Sequence, residues 1–250
     1  MPGALSNRRS AAMRRRRLAR YLAYAVGEVV LIFIGITLAV AFEDASKERE
    51  QEALVRGLLR SVAQNLEANV AHLEMNIAFD DSISGLVEDV VAHLDAGSAW
   101  DDSLSGILEL SLHWSSPFLA TSGYESLKQS GLHQVPNDSL RSDMIGLFEG
   151  TYAFLVGDVD RSMWSYMEAV MYPIVFDELV RVGDLEKPAG EYAPRDFEAT
   201  VERGRLRAML LEHRTHLHFG TIARERALEE TRALAARIEV FLSESADPAA

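Results

Sequence analysis

From Tyr21 to Phe42 the chain reads YLAYAVGEVVLIFIGITLAVAF, 22 residues in which Glu28 is the one charge. As a helix this run rises about 33 Å, against a bilayer hydrocarbon core of about 30 Å. The sequence therefore predicts one N-terminal transmembrane helix. Seven arginines precede it (Arg8, Arg9, Arg14, Arg15, Arg16, Arg17 and Arg20) with no acid among them, and Glu43 and Asp44 follow it. The positive-inside bias puts the N-terminus in the cytoplasm and everything after residue 43 on the other side. A competing expectation is a cleaved signal peptide, since Ala39, Val40 and Ala41 make an A-x-A site. The apolar run is longer than the 7 to 15 residues or so of a signal core, which favours the anchor.

Two features of the span are candidates for interaction inside the membrane. Ala19, Ala23, Gly27, Gly35 and Ala39 recur at multiples of four and lay small side chains along one face, where a second helix can approach closely. That stripe makes self-association through the span one expectation, and the ordinary abundance of small residues in membrane helices the other. Glu28 lies about 10 Å into the span, where an acid needs a partner or a proton. Tyr24 and Tyr21 precede it by four and seven residues and share its face. The candidate membrane-interaction set is accordingly Ala23, Tyr24, Gly27, Glu28, Gly35 and Ala39.

The stretch from Tyr21 to Glu50, with Tyr21, Tyr24, Gly27, Glu28, Ile34, Gly35 and Ile36 in place, resembles the opening of an uncharacterised bacterial family of single-span membrane proteins, a domain of unknown function. SGYESLKQSG, residues 122–131, resembles that family's middle segment. The exit FEDASKE departs from the asparagine and tryptophan usual there. The resemblance implies a bacterial inner-membrane location and names no activity.

The net charge of −13 conceals an asymmetry: without the +7 of the first 20 residues, the remainder carries −20. So acidic a body repels phosphates, which argues against nucleic acid as a partner. The chain has no cysteine, which removes disulfides, thiolate metal sites and cysteine nucleophiles.

Beyond the span, Val55, Leu59, Val62, Leu66, Val70, Leu73 and Ile77 recur in steps of three and four, and the pattern resumes at Ile83, Val87, Val90 and Leu94 after Asp80, Asp81 and Ser82. This predicts a long helix, or two that meet at the polar break. A helix is expected from Leu104 to Trp114. Ser122 and Glu125 form a capping-box pattern and Gly131 a stop, predicting a helix over 123–130. Another begins near Pro136 to Asp138 and is expected to kink or stop near Pro173. Its glycines, Gly146, Gly150 and Gly157, suggest close helix approach or a bend. Its aromatics, Tyr152, Phe154, Trp164, Tyr166, Tyr172 and Phe176, have the spacing of a core and are the alternative lining of a ligand pocket. Residues 182–196 read as a loop. The last helical region is expected from about Asp196 to Ser243, bent or broken near Gly220, with Phe197, Val201, Leu210, Leu217, Leu228, Leu234, Ile238 and Phe241 inward.

Several motifs resemble chemistry without its context. Tyr124 and Lys128 have the Y-x-x-x-K spacing of short-chain dehydrogenases, but no G-x-G-x-x-G occurs in the chain. Ser126 and Lys128 point about 200° apart on a helix and make no dyad there. His213 and His216 share a face that His218 leaves, so the three do not bind one ion from a regular helix. Arg203, Arg205, Arg207, Arg214, Arg224 and Arg226 make the last helix locally basic, for salt bridges to the long helix or for an anionic partner.

The expected fold class is all-α: a basic tail (1–20), a transmembrane helix (21–42), an extracytoplasmic helical-bundle domain (43–243) and a C-terminal tail (244–250). The expected function is that of a non-enzymatic membrane-anchored module that binds a protein partner or ligand at the cell envelope, with no cofactor or metal. Its expected partners are the lipid bilayer, a second copy through the span, and a membrane or envelope protein. The alternative is an anchored envelope hydrolase whose site assembles from distant residues such as His113, Ser126, His133 and Asp138.

Overall fold

The computed structural model describes residues 4–183 and 190–244, with side chains described at residue 28 and from residue 30 onward. The described residues are mostly helical, as the all-α reading expects, with one two-stranded sheet. The longest element, α1, runs Ala4–Ala96. The chain falls into two units, Met1–Leu54 and Val55–Ala250, and α1 contributes to both.

In the first unit, nine large apolar side chains between Val30 and Phe42 are exposed, from 49% at Val30 to 78% at Phe42. Thr37 returns its hydroxyl to the Phe33 carbonyl, and Lys47 pairs with Glu43 one turn back. Among the described residues no helix is long and apolar enough to cross a membrane. Of the span expected from sequence, Tyr21–Gly27 and Val29 lie outside the residues whose side chains are described.

In the second unit, α1 keeps one seam buried from Val55 to Leu94, at 55, 59, 62, 66, 69, 73, 76, 80, 83, 87, 90 and 94. The steps alternate four and three without a slip, the repeat by which a helix keeps one face toward neighbours. The polar break at residues 80–82 interrupts nothing: α1 is one helix to Ala96. The repeat also corrects two inward positions. Asn69 and Asn76 occupy the seam, while Val70 and Ile77 are half-buried beside it. Nine apolar positions fix the phase, and the polar residues follow it.

After α1, a 3₁₀ turn (Asp102–Leu104) leads into α2, which is only Ser105–Leu110. The expected helix through Trp114 stops early, and an irregular segment continues to Thr121. Helix α3 is Ser122–Ser130, ended by Gly131 at φ 107°. The expected capping box does not form: Thr121 is the N-cap, and the Ser122 hydroxyl is turned to Asn65.

Asn137 caps the next helix through the Leu140 N–H. It runs from 138 to 178 as α4 (Asp138–Ile145), π1 (Gly146–Thr151), α5 (Tyr152–Phe154), π2 (Leu155–Asp160), α6 (Arg161–Tyr166), π3 (Met167–Met171) and α7 (Tyr172–Glu178). It passes Pro173 without stopping, the wide π3 turn standing directly before the proline, where a regular α-turn would press the ring against the carbonyl four residues back. Nor do the glycines mark close approach: a Cβ at Gly146, Gly150 or Gly157 would meet nothing within 4 Å.

Of the loop expected over 182–196, Glu191–Pro194 is a strand, β2, which pairs antiparallel with β1 (Leu179–Val182), Leu179 opposite Pro194. Asp196 caps α8 (Phe197–Arg203), Gly204 closes it in the left-handed conformation, and α9 runs Arg205–Glu244. The break thus falls at Gly204, and Gly220 lies inside α9. Of the expected inward residues there, Leu210, Leu217, Leu234 and Ile238 are buried, whereas Val201 is 37% exposed.

Helix α9 packs antiparallel to α1. Asp95 pairs with Arg207 (2.5 Å), Glu88 with Arg214 (3.1 Å), Asp80 with Arg224 (2.6 Å), and Glu74 with Arg232. Of the arginines named from sequence, Arg207, Arg214 and Arg224 thus pair with acids of α1, whereas Arg205 pairs with Asp177 and Arg226 with Glu230. The three exposed pairs between α1 and α9 contribute little each and mainly fix register. Two apolar cores lie along the bundle. One gathers Val55–Leu66 of α1 with Tyr124, Leu127, Met144, Phe148 and Ile238, and the other gathers Ile83–Leu94 with Leu108, Met171, Leu206 and Leu217. Between them is a thin layer of Leu73, Leu155, Val159 and Ala227.

Helix α3 approaches α1 through Gly123, where a Cβ would sit 2.7 Å from the backbone at Ser61 and Val62. Neither backbone can yield, so Gly123→Ala is expected to destabilise the body by about 1–3 kcal/mol. Gly146→Ala, into open space, should be neutral or stabilise by up to about 1 kcal/mol. Thermal unfolding followed by circular dichroism compares the two, and equal midpoints would refute the packing assigned to Gly123.

Candidate functional site

The irregular segment from Ser111 to Thr121 lies half-buried against the bundle without a helix or strand of its own, so its backbone groups need partners elsewhere. The polar residues of the α1 seam supply them. The Asn69 amide answers both backbone groups of one residue: Oδ1 accepts the Ala120 N–H at 2.6 Å and Nδ2 donates to the Ala120 carbonyl at 3.0 Å. One turn earlier, Asn65 Oδ1 accepts from the Gly123 N–H at 2.7 Å. At the other end, Asp80 Oδ1 accepts from both the N–H and hydroxyl of Ser115, at 2.9 and 2.8 Å.

Arg224 of α9 completes the clamp. Its Nη1 donates to Asp80 Oδ2 and its Nη2 to the Ser115 carbonyl, each at 2.6 Å. The side chains of Asp80 and Arg224 are 1% and 4% exposed. Burial pushes the Asp80 carboxyl up, against the opposing pull of Arg224 and Ser115. Losing either member would strand the other charge in the interior, a loss of about 3–5 kcal/mol for such pairs. Gly220 makes the guanidinium's place, since a Cβ there would lie 2.7 Å from Arg224 Nη1.

A second strand of the network has a definite direction. Thr231 donates to the Ala227 carbonyl at 2.5 Å, so the Tyr152 hydroxyl donates to Thr231 at 2.8 Å and accepts from Asn69 Nδ2 at 3.2 Å. Farther along α9, His213 Nε2 donates to the His113 carbonyl at 3.0 Å. The His213 ring is buried against Tyr166, and desolvation lowers its pKa to about 4.

Held this way, residues 115–121 form one wall of a groove of about 630 Å³, whose other wall is the face of π1 to α6 carrying Phe148, Tyr152, Val156, Asp160 and Trp164. Ser116 Oγ donates to Asp160 Oδ1 at 2.7 Å across it. Phe118 stands 79% exposed on the loop wall, and Trp164, 45% exposed, packs edge-on against Trp114 at 4.8 Å. Two of the three π stretches therefore lie along the groove.

Of the candidate membrane-interaction residues, Glu28, Gly35 and Ala39 are exposed, and a Cβ at Gly35 would meet nothing within 4 Å. Ala23, Tyr24 and Gly27 lie outside the described side chains. The hydrolase candidates are not assembled. His113 pairs with Glu109, Ser126 donates to the Ser122 carbonyl, Asp138 pairs with Arg141, and His133 lies exposed in a 3₁₀ turn. Lys128 turns from Ser126 to Glu149, where the buried Tyr124 also donates, both at 2.7 Å. Glu149 pushes the Tyr124 hydroxyl further up beyond the effect of burial and is itself held below the ordinary carboxylate range by both donors, Lys128 first. His213 is buried, His216 half-buried and His218 exposed, and no group of three or more ligands suited to a metal occurs among the described residues. Of the six aromatics, Tyr152 and Tyr166 are core, whereas Phe154, Trp164, Tyr172 and Phe176 are 39–72% exposed.

Sequence reasoning missed Asn65, Asn69 and Ser115, read Asp80 as part of a break, and expected Arg224 to pair with the long helix without seeing its contact with Ser115. Strict continuation of the seam would have flagged Asn69 and Asp80, and the G-x-x-x-R spacing of Gly220 and Arg224 would have flagged the arginine. No protein-family model matches the chain, and neither a curated protein nor a solved structure shows significant similarity to it.

His213 makes stability depend on pH. Its folded pKa of about 4 lies below the ordinary 6.5, so the unfolded chain binds the extra proton between these values. Its contribution is complete above pH 6.5 and is lost as pH falls toward 4, by about 3 kcal/mol in total. Denaturant unfolding across this range should be steeper in pH for the native chain than for His213→Gln, and identical slopes would contradict the assignment.

Proposed function

We propose that this chain is a single-pass inner-membrane protein, N-terminus in the cytoplasm, whose extracytoplasmic helical bundle binds a partner at the cell envelope through the groove beside Phe118. Support for the anchor comes from the 22-residue apolar run, the seven arginines before it and the exposed apolar side chains from Val30 to Phe42. A helix apolar on every side needs an apolar surrounding. The resemblance of residues 21–50 and 122–131 to a single-span bacterial family points the same way and rests on those residues alone. Within the span, Ala23, Gly27, Gly35 and Ala39 with Tyr24 and Glu28 offer a face for a second copy or another membrane helix.

The observation that carries the binding reading is the fixed loop. Asn69, Asp80 and Arg224 hold a segment that would otherwise be mobile, and it presents Phe118, 79% exposed, at the edge of an aromatic groove. Rigid scaffolds that expose aromatic side chains on a preorganised loop are built for recognition. The distribution of the His113, Ser126, His133 and Asp138 side chains among separate partners weighs against a hydrolase.

The absence of cysteine makes one experiment serve both halves of the proposal. Phe154→Cys, beside the groove but outside its lining, is treated in spheroplasts with a membrane-impermeant maleimide carrying a photoreactive group, with Glu229→Cys as the control. Labelling of both without lysis, and a photoadduct specific to residue 154, are expected. Labelling only after lysis would overturn the orientation, and matching adduct patterns at 154 and 229 would overturn the binding site.

A further inference from the structure

We propose that the groove takes an organic ammonium cation with an apolar body, an inference that rests on its reading as the binding site. Among the described residues that line it, Asp160 alone carries a charge. Its Oδ1 accepts from Ser116, which leaves acceptor capacity on the carboxylate for a bound cation. Trp164, 45% exposed, follows Asp160 by one helical turn, and Phe118, 79% exposed, stands on the loop wall, while Phe148 and Tyr152 line the groove farther along the same helix and are nearly buried. Aromatic faces with a carboxylate are the combination that recognises a weakly hydrated cation, because ring quadrupoles replace water that an ammonium with alkyl substituents holds loosely.

The other ligand classes fit less well. An anion would meet Asp160 within a body of net charge −20, and a neutral apolar molecule would desolvate the carboxylate with nothing in return. Arg161 follows Asp160 in the chain but is not part of the lining. At about 630 Å³ the groove matches the size of small-molecule sites. A cation with an aromatic or short aliphatic body would set its charge at Asp160 and its body along Val156 and Leu119.

The test is calorimetric titration of the full-length chain in lipid nanodiscs with benzyltrimethylammonium, benzyl alcohol and benzoate, with empty nanodiscs as blank. The cation should bind about tenfold more tightly than the alcohol, and benzoate most weakly. Asp160→Asn keeps an acceptor for Ser116 and should bring cation and alcohol to parity, while Asp158→Asn, exposed and outside the groove, should leave the preference intact. Trp164→Leu should weaken the cation more than the alcohol, and decides the matter if Asp160→Asn fails to fold. Equal affinities in the native chain, or a preference that survives Asp160→Asn, overturn the proposal. If none of the three probes binds while specific adducts still form at residue 154, the cation assignment fails and the groove remains a docking site for protein.

Discussion

The segment between α2 and α3 has no secondary structure, yet it lies against the middle of the bundle, and what makes this possible is a set of side chains that act as a second backbone. Asn69 offers an amide to the peptide at Ala120 as a neighbouring strand would, and Asp80 and Arg224 together satisfy the N–H and carbonyl of Ser115. Without them the segment would carry unpaired polar groups into the interior, each costing about as much as a lost hydrogen bond. With them, it can leave Phe118 outside and still be fixed.

This has a cost in the core. A seam of twelve positions that was apolar throughout would bury more, and the two apolar clusters of the bundle are separated where Asn69, Asn76 and Asp80 interrupt it. A buried ion pair is seldom the most stable filling for such a place, but it specifies which segment docks there and in which register. The exposed pairs from Glu74–Arg232 to Asp95–Arg207 extend that register along α1 and α9. The polar interruption faces the groove wall, so stability given up in the middle of the bundle coincides with the surface offered for binding.

The helical character of the chain and most of its apolar positions could be read from hydrophobic spacing, because burial of a helix face is written at every third or fourth residue. What could not be read was of two kinds. Where two phases fit locally, as with Val70 against Asn69, only the whole run from Val55 to Leu94 decides, and hydrophobicity alone favours the wrong residue. Where structure depends on pairing distant in sequence, as in the contact of Arg224 with Ser115 across 109 residues, a single chain carries no local sign of it. The groove belongs to the second kind: its two walls meet only after the loop is clamped. Tyr152 and Trp164 were noticed as aromatics, but their different fates, core and groove edge, follow from that clamp.

Side chains hold this loop as firmly as a backbone ladder would. Native-state hydrogen exchange reads it directly at the N–H groups of Ser115, Ala120 and Gly123, whose acceptors are Asp80, Asn69 and Asn65. Protection of these three amides comparable with that of the buried turns of α9 is expected. Exchange at rates typical of an unprotected surface loop would contradict it.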